Sequence, residues 1–150
     1  MHDKLRGFEV VSSYIDKGIR LPERKTKHSA GYDIEAAEDI TIGGNSSAVI
    51  PTGIKAYMQP DEYLAIHVRS GLSIKNRLSL LNGVGVIDSD YYGNRDNEGH
   101  IMVAIVNHSY TPIPIKKGER IAQGIFMKYL FTDNDNSTAD RNGGIGSTGQ

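Results

Sequence analysis

The sequence predicts an all-β protein, a sandwich or a barrel, with one short helix. Short apolar runs of β-type residues recur along the chain, turn signals separate them, and few segments carry a helical pattern. The 17 glycines among 150 residues, with no tryptophan, are typical of a chain with many tight turns. A chain of this length fits one domain with a single core.

The pattern of apolar and β-branched residues places the elements along the chain. It predicts strands at residues 8–11, 48–50, 54–58, 63–68 and 101–106. Turn signals separate them at residues 43–45, 59–62, 107–109 and 116–118. We expect the short helix around residues 72–77, with Ser70 as its N-cap.

Composition excludes several classes of site. Lys and Arg number 17 against 18 Asp and Glu, so the chain lacks the basic field with which proteins bind nucleic acid polymers. A triphosphate needs only a few local cations and is not excluded. The absence of cysteine excludes disulfides and thiolate metal sites. No apolar run resembles a signal peptide or reaches membrane-spanning length, so we expect a soluble cytoplasmic protein without a membrane partner.

The C-terminal residues differ from the rest of the chain. Residues 133–138 are polar and residues 141–149 are rich in glycine, so neither segment buries enough apolar surface to hold one conformation. We therefore expect a β domain at residues 1–132 and a flexible tail at residues 133–150. The tail is either a frayed terminus or a phosphate-binding flap, because glycine N–H groups and an arginine can bind an anion.

Three other segments carry polar groups at the ends of predicted strands. Arg69, Ser70 and Gly71 follow an apolar strand, and they form either an ordinary turn or an anion site. Farther along, a short strand at residues 83–87 runs into Asp88 and Asp90. If the strand pattern persists, both carboxylates face one side, where such a pair can supply a general base; the alternative is an Asp-rich hairpin.

The third segment is a predicted strand in which Ile121, Gln123 and Ile125 alternate on one side. A glutamine among inward apolar residues needs a hydrogen-bond partner, which is either the core itself or a ligand. The five histidines show no spacing suited to a metal site, so we expect incidental roles for them.

The order of these segments, more than any one of them, points to a family. The five motifs are Ala-Gly-Tyr-Asp-Ile at 30–34, Arg-Ser-Gly-Leu at 69–72, residues 82–93 with Gly-Val-Ile-Asp-Ser-Asp-Tyr, Gly-Glu-Arg-Ile-Ala-Gln at 118–123, and the tail at 141–149. Through them the chain resembles the trimeric dUTPase family over nearly its whole length. The resemblance implies a jelly-roll-like distorted β-barrel and a homotrimer with three active sites at subunit interfaces. It also implies hydrolysis of dUTP to dUMP and pyrophosphate by water attack on the α-phosphorus.

The resemblance also implies a role for each matching residue. Asp88 is the general base that activates the water, and Tyr91 packs under the deoxyribose and leaves no room for a 2′-hydroxyl. The residues of a hairpin that reads the uracil edge are Asn82, Gly85 and Ile87. The phosphate binders are Arg69, Ser70, Gly71 and Gln123. The flap residues are Arg141, Ser147 and Thr148.

The resemblance further implies that each tail covers a site built by other subunits. In the family the phosphates and waters hold Mg²⁺, and Asp33 would reach the ion through a water. This expected mode of Mg²⁺ binding agrees with two general principles. Phosphoryl transfer needs mainly positioning and charge neutralisation, and Mg²⁺ prefers phosphate oxygens and water to a site built only from protein ligands.

Three departures from the family pattern stand out. Val68 precedes Arg69 where the family often has proline, and the loop at residues 94–100 is longer than usual. Ile145 replaces the phenylalanine that stacks over uracil in many members, and an isoleucine covers a base by dispersion alone.

Two alternatives follow from the same resemblance. One is a dCTP deaminase-type relative, which shares the fold but uses a glutamate near the base. The other is a dUTPase-fold protein that also acts as a nucleotide-switched regulatory partner, with the 94–100 loop and the tail as the docking surfaces.

Overall fold

The computed structural model describes residues 4–146 and confirms an all-β protein with one α-helix. The strands are β1 (Gly7–Val10), β2 (Tyr32–Glu35), β3 (Ile40–Ile42), β4 (Ser46–Pro51), β5 (Ile54–Tyr57), β6 (Glu62–Val68), β7 (Leu78–Leu80), β8 (Gly85–Asp88), β9 (Met102–Asn107), β10 (Ile113–Ile115) and β11 (Arg120–Lys128). The helix α1 spans Ser70–Asn76, and 3-10 turns span Ser12–Tyr14 and Ser89–Tyr91. Each of the five predicted runs overlaps a strand, namely β1, β4, β5, β6 and β9.

The strands form four antiparallel sheets. Their strand orders are β2-β11-β6-β8, β4-β9-β7, β1-β5 and β10-β3. In the largest sheet, the long strand β11 lies between β2 and β6, while β8 pairs only with β6. Strands β2 and β8 therefore lie at opposite edges of this sheet, and that placement decides how the site is divided.

Apolar residues from all the sheets meet in one core. Strand β9 shows why: Val103 and Ile105 are buried, whereas Met102, Ala104 and Val106, which alternate with them, are only partly buried, the period of a strand with one inward face. Most of the largest fully buried side chains are isoleucines, whose β-branched shape suits the pleated surface of a sheet. Each such side chain contributes roughly 1.5–3 kcal/mol when fully buried.

Two local predictions were wrong by a small shift. Ser70 is the first residue of α1, and the extended Arg69 occupies the N-cap position without a side-chain hydrogen bond. In β11, a bulge between Arg120 and Ala122 shifts the register with β2, so that Ile121 and its neighbour Ala122 are both fully buried in the core. Ile121 therefore does not share a face with Gln123, which is only partly buried and lies outside the core cluster.

The end of the described chain has no regular structure, since residues 129–146 contain neither strand nor helix. The domain boundary near residue 132 stays a prediction. Within residues 4–146, no helix is long and apolar enough to cross a membrane.

Asn107 supplies the main buried polar network at the end of β9. Its side chain is fully buried, donates to the carbonyl oxygens of Ile42, Gly43 and Thr111 at 2.9–3.1 Å, and accepts from Ser109. We expect Asn107→Ala to lower the free energy of unfolding by about 2–3 kcal/mol, because these buried groups lose their partner. Urea denaturation checks this against the exposed control Asn134→Ala, and equal stability of the two variants would contradict it.

Candidate active site

A cavity of about 300 Å³ opens beside residues 82–91, next to strand β9 and the tail. It gathers residues to which the resemblance gave roles toward the base, the sugar, the attacking water and the phosphates. They are Asn82, Gly85, Ile87, Asp88, Tyr91 and Arg141. Ile145, the residue expected to cover uracil, also lines this cavity and is 75% exposed.

The backbone of the 82–91 segment explains the shape of this cavity. Gly83 takes a left-handed φ of 72°, and the N–H of Val84 bonds the carbonyl of Asn82 at 2.8 Å, so the chain turns tightly before β8. Strand β8 then pairs with β6, not with β7, so the expected hairpin is an edge strand instead. An edge strand leaves part of its backbone N–H and C=O groups unpaired, and these groups can bind a ligand.

A second feature of β8 is the close approach of its backbone to β6. A Cβ added at Gly85 would lie 3.0 Å from the Cβ of Ile66, its register partner, which is tighter than ordinary packing. Glycine at this position therefore keeps both the strand pairing and the open cavity, next to the amide of Asn82.

Asp88 and Asp90 come together for a different reason from the one expected. The strand ends at Asp88 and residues 89–91 form a 3-10 turn, so strand alternation does not continue to Asp90. The guanidinium of Arg141 joins the two, since Nη2 lies 2.6 Å from Asp88 Oδ2 and Nε lies 2.7 Å from Asp90 Oδ1. The Arg141 side chain is only 7% exposed, whereas that of Asp88 is 50% exposed.

These contacts correct one expectation about the tail. Arg141 was expected to belong to a flexible tail that binds phosphate, yet a pair of carboxylates in the same chain already binds it. The physical reason is that a buried guanidinium needs anionic partners, and the nearby carboxylates supply them. Ser147 and Thr148, the other predicted flap residues, lie outside the described residues.

The described part of the tail lies against its own chain, whereas the resemblance implied a tail that covers a site built by other subunits. Strand β11 ends at Lys128 opposite Glu62, and Asp88 lies opposite the next residue, Tyr63. The tail thus leaves the sheet beside the 82–91 segment. It is held there by Arg141 and by the N–H of Gly144, which donates to Asp96 Oδ2 at 2.8 Å.

A second group of predicted residues surrounds Asp33 on strand β2. Arg69 Nε lies 3.4 Å from Asp33 Oδ1, and Arg120 Nη1 lies 3.5 Å from Asp33 Oδ2. Within residues 4–146, Asp33 Oδ2 is the one buried side-chain oxygen or nitrogen without a hydrogen-bond partner. Two cations and an unsatisfied carboxylate oxygen make this a site prepared for further polar partners.

Gln123 belongs to the same group. It pairs in register with Asp33, and its side chain packs over Gly31, where an added Cβ would come within 2.2 Å of Gln123 Oε1. Ser70 and Gly71 follow Arg69 at the start of α1, and Gly71 has open space around it.

The two groups lie far apart within one chain. Gln123 is opposite both Asp33 on β2 and His67 on β6, whereas Asp88 is opposite Tyr63, four residues away along β6. Three strand spacings across the sheet amount to roughly 14 Å, and four residues along a strand to about 13 Å. A single chain therefore does not bring the Asp33 group to Asp88.

The structure adds residues to which the sequence analysis gave no role. Arg120 lies within the Gly-Glu-Arg-Ile-Ala-Gln motif at residues 118–123, and its place in that motif was the signal for it. Asn97 donates to the hydroxyl of Tyr91 at 2.8 Å, and that hydroxyl donates to the carbonyl of His100 at 2.6 Å. Burial of the tyrosine raises its pKa above the usual value, so the hydroxyl stays protonated. The only signal for Asn97 was the unusual length of the 94–100 loop.

Comparison with known proteins identifies the family of the chain. A family model described as dUTPase matches residues 17–149. The chain is similar to the deoxyuridine 5'-triphosphate nucleotidohydrolase of Lactococcus lactis subsp. lactis, with 51% identity over 148 residues, covering 97% of this chain and 99% of the relative. It is 36% identical over 155 residues to the protein of the same name from Desulfitobacterium hafniense, again covering 97% and 99%.

Solved structures show the same fold. The crystal structure of dUTPase from Streptococcus mutans matches with a TM-score of 0.81 and 44% identity, covering 85% of this chain and 99% of that chain. The dUTPase of phage phi11 of S. aureus matches with a TM-score of 0.73 at 22% identity, covering 91% and 97%, which shows the fold alone. A mutant of that phage protein is described with a structural Mg(II) ion. Together, the family model and the relatives show that the chain belongs to the dUTPase family.

Proposed function

We propose that the chain hydrolyses dUTP to dUMP and pyrophosphate, with Asp88 activating the attacking water. The observation that carries this is the cavity in which a half-exposed carboxylate, Asp88, lies beside Asn82 and Tyr91. One cavity thus holds groups that suit a base edge, a sugar and a water. In this reaction an Asp88 oxygen accepts a proton from water, the water oxygen bonds to the α-phosphorus, and the bond to the β-phosphate oxygen breaks.

Arg141 has a part in this proposal that its contacts suggest. It is paired with Asp88 and Asp90 in the chain without substrate, so a hydrogen bond from the guanidinium already occupies one oxygen of Asp88. A triphosphate offers the guanidinium several phosphate oxygens, which it binds in bidentate fashion. Transfer of Arg141 from the carboxylates to the phosphates would free Asp88 as substrate binds.

The base and the sugar meet different parts of the same cavity. The side-chain amide of Asn82 and the edge-strand backbone at Gly85 and Ile87 provide donors and acceptors for the uracil edge. Ile145 supplies apolar cover from the tail. The ring of Tyr91, which is 6% exposed, forms a fixed wall for the deoxyribose.

Sugar selection gives a direct test of Tyr91. We expect Tyr91→Ala to narrow the preference for dUTP over UTP, because removing the ring opens space for a 2′-hydroxyl. The ratio of kcat/KM for the two nucleotides measures this. Tyr92→Ala is the matched control, since Tyr92 is the neighbouring tyrosine and does not line the 300 Å³ cavity. An unchanged ratio in Tyr91→Ala would remove that residue from sugar selection.

Mg²⁺ fits the Asp33 group. Among the described residues no cluster of three His, Cys, Asp or Glu side chains could hold a metal, so an ion bound by protein ligands alone is not supported. The unsatisfied Asp33 Oδ2 can accept a hydrogen bond from a metal-bound water, while phosphate oxygens supply the direct ligands. When bound, the ion would neutralise charge on the triphosphate.

Two observations support an oligomer with sites shared between chains, and a homotrimer is what the resemblance implies. First, the Asp33 group and Asp88 are roughly 20 Å apart in one chain by the strand spacings, so a second copy must complete the site. Second, the outer face of the β4-β9-β7 sheet carries no charge. By register its residues are Ser47, Val49, Pro51, Ser79, Met102, Ala104 and Val106. Val49 is 55% exposed, and Val49, Met102 and Ala104 also line the 300 Å³ cavity, so an interface here would adjoin the candidate site. An uncharged sheet face of this kind suits an interface between copies.

One assay tests the proposed reaction. Pyrophosphate release is measured from dUTP, dTTP, dCTP and UTP, each with and without Mg²⁺, and ammonia release is measured from dCTP. We expect fast release from dUTP with Mg²⁺ and no ammonia. Ammonia from dCTP would instead support the deaminase-type alternative.

A further inference from the structure

We infer that the 94–100 loop is a positioning element for Tyr91 and that Asn97 is the residue through which it sets sugar discrimination. The inference rests on the proposed function, since it concerns which sugar the same site accepts. Asn97 does not line the cavity, so it acts through the tyrosine and not on the substrate.

The hydroxyl of Tyr91 is held from two sides. It donates to the carbonyl oxygen of His100 at 2.6 Å and accepts from Asn97 Nδ2 at 2.8 Å. One donated and one accepted bond engage both functions of a phenol and fix its far end. The backbone carbonyl of the same tyrosine also accepts from Asn94 Nδ2 at 2.8 Å, so both ends of the residue are tied to the loop.

The loop fixes which way the Asn97 amide points. Its Oδ1 accepts from Asn94 Nδ2 at 2.7 Å and from the N–H of Gly99 at 3.1 Å. Because the oxygen is used there, the NH₂ group is directed at Tyr91. Asn94 is itself 9% exposed, and its Oδ1 accepts from the N–H groups of Asp96 and Asn97. The amide of Asn97 is thus an oriented donor.

The outer part of the loop is anchored to the body of the protein. Glu98 accepts from Lys55 Nζ at 2.6 Å and from the N–H and hydroxyl of Ser12, and the lysine holds the pKa of this carboxyl below its usual value. His100 Nε2 accepts from the N–H of Gly53 at 2.8 Å, and burial lowers the pKa of that imidazole, which favours the neutral form needed to accept.

Gly99 shows how closely the loop packs on the tyrosine. It has a φ of 95°, and an added Cβ would lie 2.9 Å from the Tyr91 carbonyl oxygen and from Tyr92 Cα. Arg95 and Asp96 are the two exposed residues of this loop, and Asp96 also accepts from the N–H of Gly144 in the tail. Most of this long loop therefore serves contacts within the chain.

The consequence for specificity is geometric. A wall that excludes one hydroxyl group must hold its position to within a fraction of an ångström, because packed contacts fall off steeply with distance. A tyrosine ring released at its hydroxyl end can tilt away from the sugar. Loss of the Asn97 donor should therefore admit UTP while leaving the general base and the uracil contacts unchanged.

The test is a double-mutant cycle on sugar preference. For Asn97→Ala we expect the ratio of kcat/KM for dUTP over UTP to fall by about tenfold, the worth of one good hydrogen bond, mainly through a lower KM for UTP. In a Tyr91→Phe background, which lacks the hydroxyl, Asn97→Ala should change the ratio no further. Asn76→Ala, at the exposed end of α1, is the matched control and should match wild type.

Each outcome decides between distinct explanations. An unchanged ratio in Asn97→Ala, or an equal loss in the Tyr91→Phe background, would overturn the inference, the latter because it indicates general loosening of the loop. Asn97→Asp keeps the acceptor oxygen but lacks the donor, so it should show the same loss even if the alanine variant folds poorly. Failure of the wild-type chain to release pyrophosphate from dUTP would instead contradict the proposed function.

Discussion

Asp88→Asn is expected to lower kcat for dUTP by about 10²–10⁴-fold, the usual worth of a general base. Asparagine has nearly the same shape but does not take the proton of the attacking water. KM should change little, because the lost interaction belongs to the transition state. Single-turnover measurements of pyrophosphate release, combined with equilibrium binding of a non-hydrolysable dUTP analogue, separate the two effects.

Asp90→Asn is the matched control for that prediction. Both carboxylates contact Arg141, so both variants weaken its contact with the body of the protein. Only Asp88→Asn also removes the proposed general base. We expect Asp90→Asn to keep kcat within about tenfold of wild type, since asparagine keeps an acceptor oxygen for Arg141, and even the loss of one neutral hydrogen bond, about 1.5 kcal/mol at most, corresponds to roughly tenfold. Equal losses in the two variants would mean that the Arg141 contact, and not proton transfer, explains the effect.

Oligomers assembled from a mixture of two inactive variants should recover part of the wild-type activity. Asp88→Asn and Arg69→Gln each damage one of the two separated groups of residues. When they are unfolded together in equal amounts and refolded, about a quarter of sites inherit both intact groups if each site takes them from different chains of a closed oligomer. Pyrophosphate release near a quarter of the wild-type rate is the expected result, with subunit exchange confirmed by native mass spectrometry.

The double variant carrying both substitutions supplies the control. Mixed with wild type, it again gives a quarter of the activity if the groups come from different chains, but a half if they come from one chain. Recovery of nothing in the first mixture and a half in the second would contradict the shared site.

The same design tests the tail with a chain that ends at Ala139, mixed with Asp88→Asn. Recovery of a quarter of the wild-type activity indicates that the tail of one chain covers the site of another. No recovered activity indicates that Arg141 acts on Asp88 of its own chain.

The fold was largely predictable because its signals are local. Strands such as β6 and β9 are near-continuous runs of apolar and β-type residues, long enough to be recognised in the sequence alone. Shorter strands, such as β3 and β10, have three residues each, too few to establish a period. The bulge in β11 also escaped prediction, because it depends on pairing with β2 and not on the residues of β11 alone.

The candidate site was predictable as a set of residues but not as an arrangement. The residues around Asp88 that share the cavity are neighbours in sequence. The wide gap between Asp33 and Asp88 follows instead from the strand order β2-β11-β6-β8, which no local pattern encodes. The contact of Arg141 with Asp88 and Asp90 was missed for a similar reason, since its partners lie about fifty positions earlier in the chain.

The uncharged outer face of the β4-β9-β7 sheet has a consequence for stability. A surface bearing Val49 and Met102 would carry an unfavourable hydration cost in a lone chain, and association of copies in the proposed oligomer would remove that cost. If the chain assembles as proposed, folding and association would be one thermodynamic event, and the melting temperature would depend on protein concentration. Dilution alone would weaken the native state of this protein, even though every contact within each chain remains available.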